Sequence, residues 1–157
     1  MVMIPDLQHD PDFLRAWYNE HEMSRAIGME LVDVGAGWAR TRLSPPPGLR
    51  NPNGAVNGGV LAWFADLTGG AAIVTVTGEG GVASTIELGI HYMRAAMKAP
   101  FEGHGRIVRR GRSLVFIAID ITDATGDVCV AASGVWSARH GASPPRPAPD
   151  RMNETNR

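Results

Sequence analysis

The stretch AVNGGVLAWFADLTGGAAIVTVTG, residues 55–78, decides the fold. Asp66 is its single charged residue, and the apolar side chains from Val60 to Val74 cover most of a helical wheel. Such a segment predicts a helix buried on every side rather than an amphipathic one. A membrane span would pass the same test of length. The paired glycines at each end, the central carboxylate and the threonine-rich exit argue instead for the core of a water-soluble domain.

A helix that no side exposes to water must be wrapped by other elements, and the rest of the chain supplies strands. After Gly80-Gly81, Ile86, Leu88, Ile90 and Tyr92 alternate with Glu87, Gly89 and His91, the period of a half-buried strand. FEGHGRIVRR after Pro100 reads as a further strand. Arg110-Gly111-Arg112 then turns into SLVFIAIDIT, with Val115, Ile117, Ile119 and Ile121 on one face. Asp123-Ala124-Thr125-Gly126 is a hairpin turn into the last strand, DVCVAASGVWSA. On the N-terminal side, Asp10-Pro11-Asp12 caps a helix over FLRAWYNEHEM, with Phe13, Leu14, Trp17 and Tyr18 on one side. Two strands follow, MELVDV and WARTRL, turning at Gly35-Ala36-Gly37, and then the proline-rich loop SPPPGLRNPNGAVNGG.

The expected architecture is α+β: a short N-terminal helix, two strands, the apolar helix, then four strands in an antiparallel meander. The curved sheet of about six strands wraps the helix. Residues 1–24 form an N-terminal helical segment, 25–140 the domain, and 141–157 a proline-rich tail expected to be disordered.

Composition narrows the function classes. The chain has 157 residues, 44% hydrophobic and 20% charged, with a net charge of −1, so no bulk electrostatics favour nucleic acid or an anionic membrane. The one cysteine, Cys129, lies in an apolar run and reads as core. Five scattered histidines show no metal-ligand spacing, so no metal is expected. Trp38, Trp63 and Trp136 read as core or subunit contacts. The N-terminus has neither a basic start nor a long apolar run, which places the protein in the cytoplasm.

Asp66 is the most informative residue, because an ionised carboxylate in an apolar helix needs a partner or a purpose. At the start of the same helix, Asn57 stands as N-cap and Gly58-Gly59 follow. Their amides point out of the positive end of the helix with no side chain in the way, which suits an oxyanion. The bland alternatives are a carboxylate held by backbone or arginine, and a Gly-Gly pair that allows close packing.

Three segments, NPNGAVNGGVLAWFADLTGG, STIELGIHYMRAA and RRGRSLVFIAIDITDATGDVCVAASG, together resemble the hotdog-fold thioesterases of the phenylacetate-degradation type. The resemblance covers roughly Gly28 to Ala138. It implies hydrolysis of a small acyl- or aryl-CoA thioester without a cofactor. Asn51 matches the loop asparagine that holds water or substrate, and Gly58 the glycine whose amide polarises the thioester carbonyl. Asp66 matches the general base or nucleophile, and Thr85 the hydroxyl that hydrogen-bonds the attacking water. In the family the site forms between subunits, so a homodimer or a homotetramer (a dimer of dimers) is expected, with Asp66 and Thr85 facing Asn51 and Gly58 of a partner. Asn57 departs from the family's usual histidine; an amide can cap and donate but cannot exchange a proton near neutral pH. It argues against hotdog dehydratases, which need a histidine as well as a carboxylate.

Six basic residues, Arg94, Lys98, Arg106, Arg109, Arg110 and Arg112, lie in a stretch with Glu102 as its one acid. They read either as a grip for coenzyme A phosphates, with Arg94, Arg110 and Arg112 foremost and Gly59 near the thioester, or as a solvated hairpin. No aromatics interleave with them, which disfavours nucleic acid. The rival to hydrolysis is a non-catalytic acyl-CoA-binding or regulatory domain of the same fold.

Overall fold

The computed structural model describes residues 10–77 and 82–139. Helix α1 spans Pro11–Glu20, and Asp10 caps it by accepting from the amides of Asp12 and Phe13, both at 3.0 Å. The single N-terminal helix read from the sequence is in fact two. At His21 the backbone is extended, and its Nδ1 accepts from the Met23 amide to start α2, Glu22–Ile27, which ends on Gly28 at φ 74°. The break lets Leu14 and Tyr18 of α1 and Ile27 of α2 all reach the core, while Phe13 stays exposed. Position 24 lies within α2, so these helices and the sheet share one core. The proposed tail, 141–157, lies outside the described residues.

Strands β1 (Met29–Gly35) and β2 (Trp38–Leu43) form a hairpin. A 3₁₀ turn at Pro47–Leu49 leads to α3, Gly58–Thr77. Then come β3 (Val82–Tyr92), β4 (Phe101–Arg110), β5 (Leu114–Thr122) and β6 (Val128–Arg139). All six strands make one antiparallel sheet, in the order β1-β2-β4-β5-β6-β3.

That order corrects the expected four-strand meander: only β4, β5 and β6 follow one another, and β3 pairs with β6 at the far edge. The crossing is made before α3 begins: Gly58, the first residue of the helix, already lies against Tyr92 of β3, so the loop of residues 44–57 carries the chain from β2 to the β3 edge. The helix then runs back, and near its end Thr75 accepts from the Gly37 amide in the β1–β2 turn.

The sheet approaches α3 closely through glycines of β4. A Cβ at Gly103 would stand 2.4 Å from Thr41 Oγ1, and one at Gly105 would stand 2.9 Å from the Thr68 carbonyl oxygen. Beneath them the Thr41 and Thr68 hydroxyls are 2.7 Å apart and Thr68 donates to the Phe64 carbonyl, so these buried hydroxyls are satisfied. Cys129 and Trp136 are buried, as their apolar surroundings suggested.

α3 is not buried all round. Val60, Leu61, Phe64, Ala65, Ala72 and Ile73 face the sheet. Trp63, Asp66, Leu67, Gly70 and Val74 form a half-buried stripe on its other side. Among the described residues α3 alone is long and apolar enough to cross a membrane, and half of its most apolar window is buried within this chain. Strand β3 departs from simple alternation too: a bulge between Thr85 and Glu87 throws Ile86 outward, where it is 58% exposed.

Candidate active site

The loop before α3 is shaped by Asn51. Its Oδ1 accepts from the amides of Asn53 at 3.0 Å and Ala55 at 3.2 Å, while its own amide donates to the Ala55 carbonyl at 2.8 Å. With the side-chain oxygen committed, the NH₂ is the group left to donate to a ligand. Arg50 braces the loop by donating to the carbonyls of Gly54 and Met97. Asn51 and Gly58 line one cleft of about 390 Å³, together with Leu61, Tyr92, Met93 and Arg94.

Asn57 caps α3 as expected, and the details change the role of its neighbour. Asn57 Oδ1 accepts from the Gly59 amide at 2.8 Å. Gly59 therefore does not offer a free donor to a substrate, contrary to the reading of both amides as open. The Gly58 amide has no partner among the described residues. It sits at the first position of the helix, where no intrahelical acceptor exists.

Asp66 and Thr85 are brought together: Thr85 Oγ1 donates to Asp66 Oδ1 at 2.7 Å. Asp66 is half-buried rather than deeply buried, because the open stripe of α3 carries it. Neither residue lines the cleft of Asn51 and Gly58. Eight residues separate Gly58 from Asp66, about 12 Å along the helix axis. Within one chain the Gly58 amide and the Asp66 carboxylate therefore do not meet.

The basic residues do not form one cluster. Arg94 follows β3 where Tyr92 pairs with Val130, at the mouth of the cleft, and is ion-paired with Asp127. Arg110 pairs in register with Val115, at the opposite end of the sheet, and Arg112 lies in the adjoining turn. Val115 and Ile121 of β5 mark that separation, about 20 Å along the strand.

Two further residues stand beside these groups. The Tyr92 hydroxyl donates to the Gly58 carbonyl at 2.7 Å. Tyr18, buried on α1, lies near Asp66; burial and then the Asp66 carboxylate push its phenol above the ordinary value of 10.0. Tyr92 had been counted only as the last apolar position of a strand, and Tyr18 as one side of a helix. Neither pattern carries a signal for these contacts, which join positions far apart in sequence.

The thioesterase superfamily matches residues 53–130, a span that holds Gly58, Asp66 and Thr85. A protein of Saccharolobus solfataricus named as an esterase is 28% identical over 118 residues, covering 74% of this chain and 77% of its own. A thioesterase of Haemophilus influenzae superposes with a TM-score of 0.78 at 17% identity, over 87% of this chain and 95% of that one. The chain has the hotdog fold. Among other hotdog structures, the PaaI protein of the Escherichia coli phenylacetic acid degradation operon superposes with a TM-score of 0.72 at 18% identity, over 82% and 91%. The superfamily match and the esterase name support thioester hydrolysis in general.

Proposed function

We propose that two copies of this chain together hydrolyse a small acyl- or aryl-CoA thioester. The observation that carries the reading is the placement of both half-sites along β3. Thr85, near one end, holds Asp66; Tyr92, at the other end, touches Gly58. The two lie about 23 Å apart along the strand. β3 is an edge strand, open on one side. Antiparallel pairing of two such edges about a twofold axis near Leu88 and Gly89 sets Thr85 of each copy beside Tyr92 of the other. The carboxylate half of one copy then faces the donor half of its mate, and the assembly is a homodimer or a dimer of dimers.

In that composite site the Gly58 amide and the positive end of α3 stabilise the oxyanion, and the Asn51 NH₂ holds water or the thioester oxygen. Two routes are open to Asp66. As a base it takes a proton from water, whose oxygen bonds to the acyl carbon as the C–S bond breaks, and the proton passes to the departing thiolate. As a nucleophile its oxygen attacks the acyl carbon, the thiolate leaves, and water cleaves the resulting anhydride. Both yield a carboxylic acid and free coenzyme A, and neither calls on a cofactor. Thr85 occupies Oδ1 and leaves Oδ2 for either role. The same twofold pairing carries Arg110 and Arg112 of one copy toward the Arg94 end of the other, where they serve the coenzyme A phosphates.

The test is free-thiol release from phenylacetyl-, benzoyl-, butyryl- and palmitoyl-CoA. Turnover that falls about 10²–10⁴-fold in Asp66→Asn, with the fold intact, supports the reading. Binding without turnover by the wild-type protein would shift it to a non-catalytic acyl-CoA-binding domain.

A further inference from the structure

Two side chains, Asn57 and Tyr92, hold the first turn of α3. The Gly58–Gly59 peptide group is fixed at both ends: its N–H donates to Asn57 Oδ1 at 2.8 Å, and its C=O accepts from the Tyr92 hydroxyl at 2.7 Å. The preceding peptide, Asn57–Gly58, is fixed by its carbonyl, which accepts from Val60 at 3.0 Å and Leu61 at 3.2 Å. Gly58, whose φ and ψ are intrinsically the softest, therefore lies between two anchored peptide planes. The Tyr92 ring fills the space beside it, since a Cβ at Gly58 would stand 3.3–3.4 Å from ring and hydroxyl atoms. Gly58's own amide has no partner among the described residues.

We propose that Tyr92 is a positioning residue for the oxyanion donor: through the Gly58 carbonyl its hydroxyl, with Asn57, fixes the direction in which the Gly58 amide points. The inference rests on the thioesterase reading above. Charge on the carbonyl oxygen grows only as the tetrahedral state forms, so a donor that is aimed beforehand favours the transition state over bound substrate. Loosening the turn then lowers kcat and leaves KM alone. A residue that merely walls the cleft would do the reverse.

Tyr92→Phe keeps the ring and removes the hydroxyl. Tyr92 is 53% exposed, so the melting temperature is expected to hold. For whichever of the four acyl-CoAs the wild-type protein turns over fastest, kcat should fall about tenfold with KM within about twofold. A matched pair of inhibitors gives a second readout. Trifluoroacetonyl-CoA becomes tetrahedral on hydration, and should bind about tenfold more weakly to Tyr92→Phe; acetonyl-CoA stays trigonal and should bind equally well to both proteins. An undiminished kcat, or a raised KM with kcat unchanged, overturns the inference. Absence of turnover by the wild-type protein overturns the thioesterase reading and this inference with it. Turnover that survives Tyr92→Phe undiminished overturns this inference alone.

Discussion

If each site takes its carboxylate from one copy and its oxyanion donor from the other, two inactive variants should rescue each other. A thioester carbonyl must lie about 3 Å from both the donor and the attacking group, but Gly58 and Asp66 of one chain stand about 12 Å apart along α3. Asp66→Asn disables the carboxylate half and Asn51→Ala the donor half. A homodimer of either variant carries two defective sites. In a mixed dimer both defects fall on one site and the other is intact. Random reassembly of equal amounts makes half the dimers mixed, so activity should recover to about a quarter of wild type. The background is low, since loss of a general base alone costs about 10²–10⁴ in rate. The assay is thiol release after co-refolding, with unmixed controls and native mass spectrometry to count heterodimers. Heterodimers without recovered activity would refute the composite site.

Removing the hydroxyl that donates to Asp66, in Thr85→Ala, should lower kcat roughly tenfold or more while Thr85→Ser keeps most of it; equal activities in steady-state assays would contradict this. Gly105→Ala puts a methyl group 2.9 Å from the Thr68 carbonyl, at a backbone-to-backbone contact of β4 with α3. It should cost about 1–3 kcal/mol and lower the melting temperature by several degrees, read by thermal denaturation. The buried Tyr18 phenol titrates above 10.0 when folded, so folding favours its neutral form. That contribution is complete below the unfolded phenol's pKa and is lost as pH rises through 10 toward the folded value. Melting temperature should therefore fall more steeply above pH 10 in the wild type than in Tyr18→Phe, and parallel curves would show the phenol to be uncoupled from folding.

The central helix, six strands and their antiparallel pairing were all legible in the sequence, because the apolar run of 55–78 and the period-two strands each bury a face that the other must cover. Strand order was not, since periodicity records which face of a strand is buried and says nothing of its neighbour. The open stripe of α3 escaped for a related reason: Trp63, Leu67 and Val74 look alike in sequence whether the sheet or another surface covers them. Asn57 caps the helix as its place in the sequence suggested, whereas Thr85, expected to hold the attacking water, donates its hydroxyl proton to Asp66. The basic cluster does not form, because Arg94 follows β3 at one end of the sheet and β4 runs from that end to put Arg110 at the other. Gly59 was misjudged because the capping side chain that defines the helix start also consumes the next amide.

The place of β3 at the sheet's edge, beside β6, also has a bearing on when the protein first becomes competent. Arg110 and Val115 pair five positions apart, so the β4–β5 hairpin closes a short loop. β3 instead waits for β6: Tyr92 pairs with Val130, and Val82 with Arg139 at the far end of that strand. Long loops close more slowly than hairpins, so β3 is expected to dock last. Thr85 reaches Asp66 only from a docked β3. A chain still emerging from the ribosome can hold its central helix and hairpins in place, yet its carboxylate half-site waits for Trp136, the partner of Thr85, to be translated.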